Sequence, residues 1–377
     1  MSWQHIRGHD SLIQAFDQVV RRGRLAHAYL FIGPAGVGKR LFADELAKAL
    51  LCEGRVSGEW SVASGNEDLE TLRQGNKETR RQGEGVSVSP CLRVSVSSSL
   101  EACDHCAACK LVDAGTHPDL QTAGRPPDKS EVPVEMVRGL ARGLDLKPAR
   151  GRGRIVIIDD ADDLNEESAN CFLKTLEEPP PGALLILIGT SAERQLPTII
   201  SRCQVIPFRP LPEGIVAELL IAQGIEDQAQ RLARLSDGSM ILALALADPA
   251  LWEFRRKLLD GLTQPRPDGV LLAQEWMKFA EEAGKELSAQ RRRAALVLRL
   301  LIDFLNDALS MSMGKSPRLS EAADSPVLQK MVKQFDADHL LAMIDRCLEA
   351  DIQIDRNVQL VLVLEALLDS LTAEPVG

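Results

Sequence analysis

Three cysteines at two-residue spacing, in Cys103-Asp104-His105-Cys106-Ala107-Ala108-Cys109, carry the clearest chemistry in this chain. Cys52 stands upstream, at the end of an expected helix. Three thiolates on one short segment and a fourth sulfur from elsewhere make the closed, all-thiolate tetrahedron of structural zinc. Cys52 is the expected fourth ligand, with Cys91 and His105 as alternatives. A redox Cys-x-x-Cys is the competing interpretation. Single buried cysteines are common core material, but a cluster beside polar Asp104 and His105 is poor core. No open coordination position or adjacent general base is evident, so Zn2+ would hold structure here. Cys171 and Cys347 lie on apolar helix faces and read as core.

The second chemical element is Gly33-Pro34-Ala35-Gly36-Val37-Gly38-Lys39. It follows the apolar run Ala28–Ile32 and precedes a helical pattern lined by Leu41, Phe42, Leu46, Ala47, Leu50 and Leu51. Strand, glycine loop and helix in that order make a phosphate-binding loop. Gly33, Gly36 and Gly38 let the backbone amides curl around a polyphosphate, and Lys39 reaches its outer phosphates. ATP or ADP is the expected ligand; a tight turn with no ligand is the alternative. Position 40 ordinarily carries the hydroxyl that ligates magnesium. Here it is Arg40, which offers five donors and no acceptor. Asp159 closes the apolar run Arg154–Ile158, where a carboxylate would serve magnesium. Asp160 occupies the place of the glutamate that polarises attacking water and is a methylene shorter. A displacement of ~1 Å can cost about a hundredfold in rate. Binding without hydrolysis is the expectation.

Arg202, in Ser201-Arg202-Cys203, precedes an expected edge strand, Gln204–Phe208. From there it could reach a neighbour's nucleotide in trans, as arginine fingers do. The alternative is a solvated surface ion pair.

These groups need a scaffold, and the pattern supplies one. Apolar runs at Ala28–Ile32, Arg154–Ile158 and Leu184–Ile188 alternate with amphipathic helices at Ser11–Val20, Val134–Leu144 and Asn165–Glu178. Alternation of this kind predicts a parallel sheet with helices on both faces over residues 1–210. Residues 53–102 are rich in Gly, Ser, Arg and Glu without helical period, and read as a flexible insertion within a zinc module spanning 52–109. Beyond Pro210 the pattern is helical, with a small module over 211–263, a linker at Gln264–Gly269 and a larger part over 270–377. Its long helices are expected at Gln290–Leu309, His339–Ala350 and Val358–Leu371, with a loop over Ser312–Ser325. With 377 residues the chain is long enough for two or three domains, and its net charge of -10 excludes a general basic coat for nucleic acid. No apolar segment reaches bilayer length, and no signal peptide is evident. Eight cysteines, three in a metal-like cluster, fit a reducing cytoplasm.

Together these motifs resemble the AAA+ clamp-loader ATPases. The matching stretches are Gly23-Arg-Leu-Ala-His-Ala-Tyr-Leu-Phe31, the cysteine cluster running into Ala114-Gly-Thr-His-Pro-Asp-Leu120, Leu173-Lys-Thr-Leu-Glu-Glu-Pro-Pro180 and Ser201-Arg-Cys203. Arg356-Asn-Val-Gln-Leu360 and Leu364-Glu-Ala-Leu-Leu368 are similar to the last collar helix of such subunits. The resemblance implies an AAA+ nucleotide-binding domain, a helical lid over 211–263 and an oligomerising collar over 270–377. It implies a hetero-oligomeric ring with tau/gamma motor subunits and a delta subunit. The sliding clamp and primer-template DNA would be met through that complex, an accessory of DNA polymerase III. It makes Arg202 the finger acting on an adjacent subunit. The departures matter as much: motor subunits carry Lys-Thr or Lys-Ser and Asp-Glu, and their lid presents a sensor arginine where this chain has Ile241. Three losses of catalytic chemistry beside a retained finger imply a non-hydrolysing stator. A motor ATPase of the same loader is the alternative. A P-loop nucleotide kinase is a further one, but the basic substrate lid it needs is not found.

Overall fold

A computed structural model of the chain describes residues 2–54, 100–126, 129, 131–150, 152–320 and 324–373. Most of the expected 53–102 insertion, including Cys91, lies outside the described residues. The chain divides into two compact units, Met1–Ile215 with Gly238–Met240 and Val216–Asp237 with Ile241–Gly377.

The first unit is built on a five-stranded sheet. Its elements are α1 (Asp10–Arg21), β1 (Ala28–Ile32), α2 (Lys39–Leu51), α3 (Ala107–Asp113) and β2 (Leu120–Ala123). They continue with α4 (Val134–Leu144), β3 (Arg154–Ile158), α5 (Glu166–Glu177), β4 (Ala183–Gly189), α6 (Pro197–Ile200) and β5 (Gln204–Pro207). The strand order is β2-β3-β4-β1-β5 and every pair is parallel, with Leu30 opposite Leu187 on one side and Val205 on the other.

Successive strand residues face opposite sides of a sheet, and here both sides are apolar. Tyr29, Phe31, Ile155, Ile157, Leu184, Ile186 and Ile188 pack with Phe16 of α1 and Phe42, Leu46 and Leu50 of α2. Ala28, Leu30, Val156, Ile158, Leu185 and Leu187 pack with Val137 and Leu140 of α4 and with Phe172 and Leu176 of α5. Each large apolar side chain buried this way contributes about 1.5–3 kcal/mol over its exposed state. The expected α/β architecture with helices on both faces is therefore present. Cys171, expected in the core, is only partly buried, because it sits at the margin of the α5 face.

The second unit is all-helical. It comprises most of α7 (Glu213–Ala222), then α8 (Ala229–Leu235), α9 (Met240–Ala245), α10 (Pro249–Leu262), α11 (Gly269–Glu281), α12 (Leu287–Ser312), α13 (Ser325–Gln334), α14 (Ala337–Asp355) and α15 (Leu360–Thr372). Trp276, Phe304, Leu298, Leu301, Leu364 and Leu368 are fully buried in its core. Two buried charges are partnered within it. Arg255 meets Asp324 at 2.8 Å. Asp307 accepts the amides of Arg318, Leu319 and Ser320 at 2.6–2.9 Å, which pins the segment after α12. Among the described residues no helix is long and apolar enough to cross a membrane.

Glycine is required at the start of the phosphate loop. Gly33 has φ +150, and a Cβ there would lie 2.2 Å from the Phe208 carbonyl oxygen. Gly38, with φ +96, has nothing within 4 Å of a Cβ. Gly38→Ala should therefore pay only the left-handed penalty of about 1–2 kcal/mol. Gly33→Ala must also displace backbone, and should lose about 3 kcal/mol or more. Urea unfolding of the two variants measures the difference; equal midpoints would show that the Gly33 contact is not limiting.

Candidate functional site

All five strands run the same way, so their C-terminal ends gather the chemistry at one edge. The glycine loop leaves β1, Asp159 follows β3, and Thr190 follows β4. The loop carbonyls are engaged by the protein itself. The Met240 amide donates to the Gly36 carbonyl at 3.0 Å, and His9 Nε2 donates to the Val37 carbonyl at 2.7 Å. Lys39, only 7% exposed, turns back and donates to the carbonyls of Gly33 at 2.5 Å and Pro34 at 2.6 Å. Burial lowers its pKa, opposed by the carboxylates of Asp159 and Asp162. A polyphosphate would have to draw Lys39 off these two carbonyls.

Arg40 occupies the cation position beside that loop. Its Nε donates to both oxygens of Asp44 at 3.0 Å, and its Nη1 lies 3.6 Å from Asp159 Oδ2. The carboxylate expected to serve magnesium is thus paired with a fixed organic cation. Burial raises the Asp159 pKa and neighbouring Asp160 adds to the rise, while Arg40 opposes it. Asp160 is turned elsewhere. It adopts a left-handed backbone at φ 54, and its Oδ2 accepts the Arg125 amide at 3.2 Å, on the β2 side of β3.

One network at this edge was not expected from the sequence. Asp162 accepts the Thr190 amide at 2.8 Å and the Thr190 hydroxyl at 2.6 Å, and it also accepts the Gln195 side-chain amide. Gly189 is pressed against both Gln195 and Asp162, so a Cβ there would have to displace their side chains. The network braces the end of β4, next to β1. The only sequence signal was the Asp159-Asp160-Ala161-Asp162 run of carboxylates, which does not say which of them faces Thr190.

The four thiols Cys52, Cys103, Cys106 and Cys109 lie with their sulfurs all within 4.8 Å of one another. Cys103 Sγ and Cys109 Sγ are 4.0 Å apart. A tetrahedron with Zn–S bonds of about 2.3 Å has edges of about 3.8 Å, so the set fits a single ion. Cys52 directly follows α2, Cys106 caps α3, and Asp104 supplies the left-handed turn between them at φ 62. Amides of the loop point at the sulfurs: Cys103 N to Cys52, Cys106 N to Cys103 and Cys109 N to Cys106, at 3.3–3.4 Å. Burial opposes ionisation of Cys106, but the amides of Cys109 and Glu53 outweigh it and hold the thiol at about 6. Burial pushes Cys52 and Cys109 upward. A bound cation would favour the thiolate form of this raised pair. His105 is exposed. Beneath the cluster the buried Lys48 ammonium pairs with Asp104 and Asp113 at 2.8 Å each, tying α2 to the cysteine loop.

Arg202 lies at the end of α6, between buried Ile199 and buried Cys203. Its Nε and Nη2 donate to Glu177 Oε1 at 3.1 and 2.6 Å. Its Nη1 donates to the Thr198 carbonyl and the Ser201 hydroxyl, both at 3.1 Å. The side chain remains 33% exposed.

The family model described as DNA polymerase III, delta subunit, matches residues 8–79 and 88–212. The DNA polymerase III subunit delta' of Pseudomonas aeruginosa is 31% identical over 271 residues, 69% of this chain and 69% of that protein. The subunit delta' of Bacillus subtilis is 25% identical over 353 residues, 92% of this chain and 91% of that protein. The subunit tau of Escherichia coli is 31% identical over 253 residues, 65% of this chain but 32% of that protein. The matched region carries the glycine loop, Asp159, the three clustered cysteines and Ser201-Arg202-Cys203. On this ground the chain belongs to the DNA polymerase III delta-subunit family.

Proposed function

We propose that this chain is a delta'-type stator of a replicative clamp loader. It works in the cytoplasm, in a ring with tau/gamma motor subunits and a delta subunit, and helps load the sliding clamp onto primed DNA. It hydrolyses no ATP itself and lends Arg202 to the nucleotide of a neighbour. Residues 211–263 serve as its lid and 270–377 as its collar.

The observation that carries this reading is the Arg40–Asp159 pair. A guanidinium offers magnesium no lone pair and repels it. It also occupies the carboxylate that would hold the ion through water. The position-160 carboxylate, committed to the Arg125 amide, is not set to polarise an attacking water. The loop amides and α2 N-terminus can still hold ATP or ADP, with Gly33, Gly36, Gly38 and Lys39 around the phosphates. Hydrolysis lacks its metal. The similarity to subunit tau favours a second reading, a motor ATPase, which the same assay separates.

Purified chain should release phosphate from ATP at background rate, with Lys39→Ala no different. A steady turnover abolished by Lys39→Ala would favour the motor reading.

Arg202→Ala should fold and assemble with motor subunits, yet lower DNA-stimulated ATPase and clamp loading. Fingers are worth about 10³–10⁵ in rate at one site, and a ring with other intact sites loses only part of its total. Arg202→Lys should not restore the rate, because it lacks the planar fork. Wild-type rates in both variants would leave Arg202 a plain surface ion pair.

Zn2+ should bind at one equivalent through Cys52, Cys103, Cys106 and Cys109, as a structural ion. Metal analysis of the four single Cys→Ser variants tests this. Full zinc in Cys52→Ser would move the fourth ligand to Cys91 or His105.

A further inference from the structure

Glu177 and Arg202 present a competition. Of the five N–H groups of a guanidinium, the edge formed by Nε and one Nη is a bidentate fork for phosphate or carboxylate. In Arg202 that edge is closed on Glu177 Oε1, and Nη1 is spent on Thr198 and Ser201. Arg202 therefore cannot present this fork to a phosphate while Glu177 holds it.

The backbone around the pair does not move easily. Glu177 is the last residue of α5, after buried Leu176, and is followed within two positions by Pro179-Pro180-Pro181. Arg202 is bracketed by buried Ile199 and Cys203. The two states of the guanidinium are side-chain states on fixed anchors. Both side chains reach solvent, at 33% for Arg202 and 53% for Glu177, so the closed state is shallow and reversible.

Resting on the finger role given to Arg202 above, we infer that Glu177 is a latch acting in cis. It keeps the fork of Arg202 folded against its own subunit until charge developing on the phosphate transferred at the neighbouring subunit takes the place of the carboxylate. Glu177 is a positioning residue: it touches no substrate and acts only through Arg202. The latch taxes engagement of the finger, and so lowers turnover wherever that engagement occurs in the transition state.

The test uses the full ring, reconstituted with this chain as wild type, Glu177→Gln, Arg202→Ala and the double variant. The measured quantity is Arg202-dependent turnover, the difference between each chain and its Arg202→Ala partner. Glutamine keeps an acceptor but loses the charge. An exposed pair of this kind converts to a rise of between about 1.4-fold and about fivefold in Arg202-dependent kcat for Glu177→Gln, with the KM for ATP unchanged. In the Arg202→Ala background Glu177→Gln should have no effect. A ratio of one or below, or an effect that persists without Arg202, overturns the latch. No Arg202-dependent turnover at all overturns the finger role and the latch with it. Thermal midpoints and ring assembly of the variants identify a loss that comes from misfolding.

Discussion

The placement of β1 between β4 and β5, all parallel, is the constraint on which the first unit depends. A parallel strand needs a crossover before its partner, so every return passes through a helix, and every functional loop leaves the sheet at the same edge. The glycine loop, Asp159 and Thr190 meet there although more than a hundred residues separate the first from the other two. β1 pairs along its length with β4 and β5, Leu30 opposite Leu187 and Val205, and this register sets the height of the loop above the sheet. The close approach of Gly33 to Phe208 follows from this arrangement.

At that edge the protein supplies its own cation. Arg40 stands one residue past Lys39 and bridges Asp44 to Asp159, so the carboxylate that follows β3 already faces a cation of the protein. The bridge is partly exposed and is not a large source of stability. What matters is geometry: a covalently tethered cation cannot leave or rearrange with the phosphate as a metal ion can. Asp160 is likewise removed from the loop by its left-handed backbone and its bond to Arg125. The two carboxylates that follow β3 are thus both engaged by protein groups at this edge.

Continuous apolar runs made β1, β3 and β4 legible in the sequence, since a strand buried on both faces has few polar residues to confuse it. The order of loop, cysteines and Asp159 was legible for a similar reason, as each carries a local spacing. β2 was not, because Leu120-Gln121-Thr122-Ala123 is short and half polar and becomes a strand only by pairing with β3. Helix α3 was hidden by its own cysteine, and α13, which begins where the expected Ser312–Ser325 loop ends, was not assigned in advance; just before it Asp324 is pinned by Arg255. At the site, Lys39 and Arg40 could be named in advance but their partners could not. Asp162 with Thr190 and Gln195, and Arg202 with Glu177, are contacts that only the tertiary fold creates.

Helix α2 joins the two chemical centres, with the glycine loop at its start and Cys52 just past its end. That linkage has a consequence for the order of events during synthesis. β1 emerges early, but its neighbours β4 and β5 are the last two strands of the sheet to be made. The sulfurs of Cys103, Cys106 and Cys109 emerge well before either. At about 5–20 residues per second, several seconds pass between completion of the thiol set and arrival of β5. Over that interval the thiol cluster is a long-range closure already open to α2, whereas β1 has neither of its sheet partners. The ion would anchor the phosphate-loop helix while the nascent sheet is still incomplete.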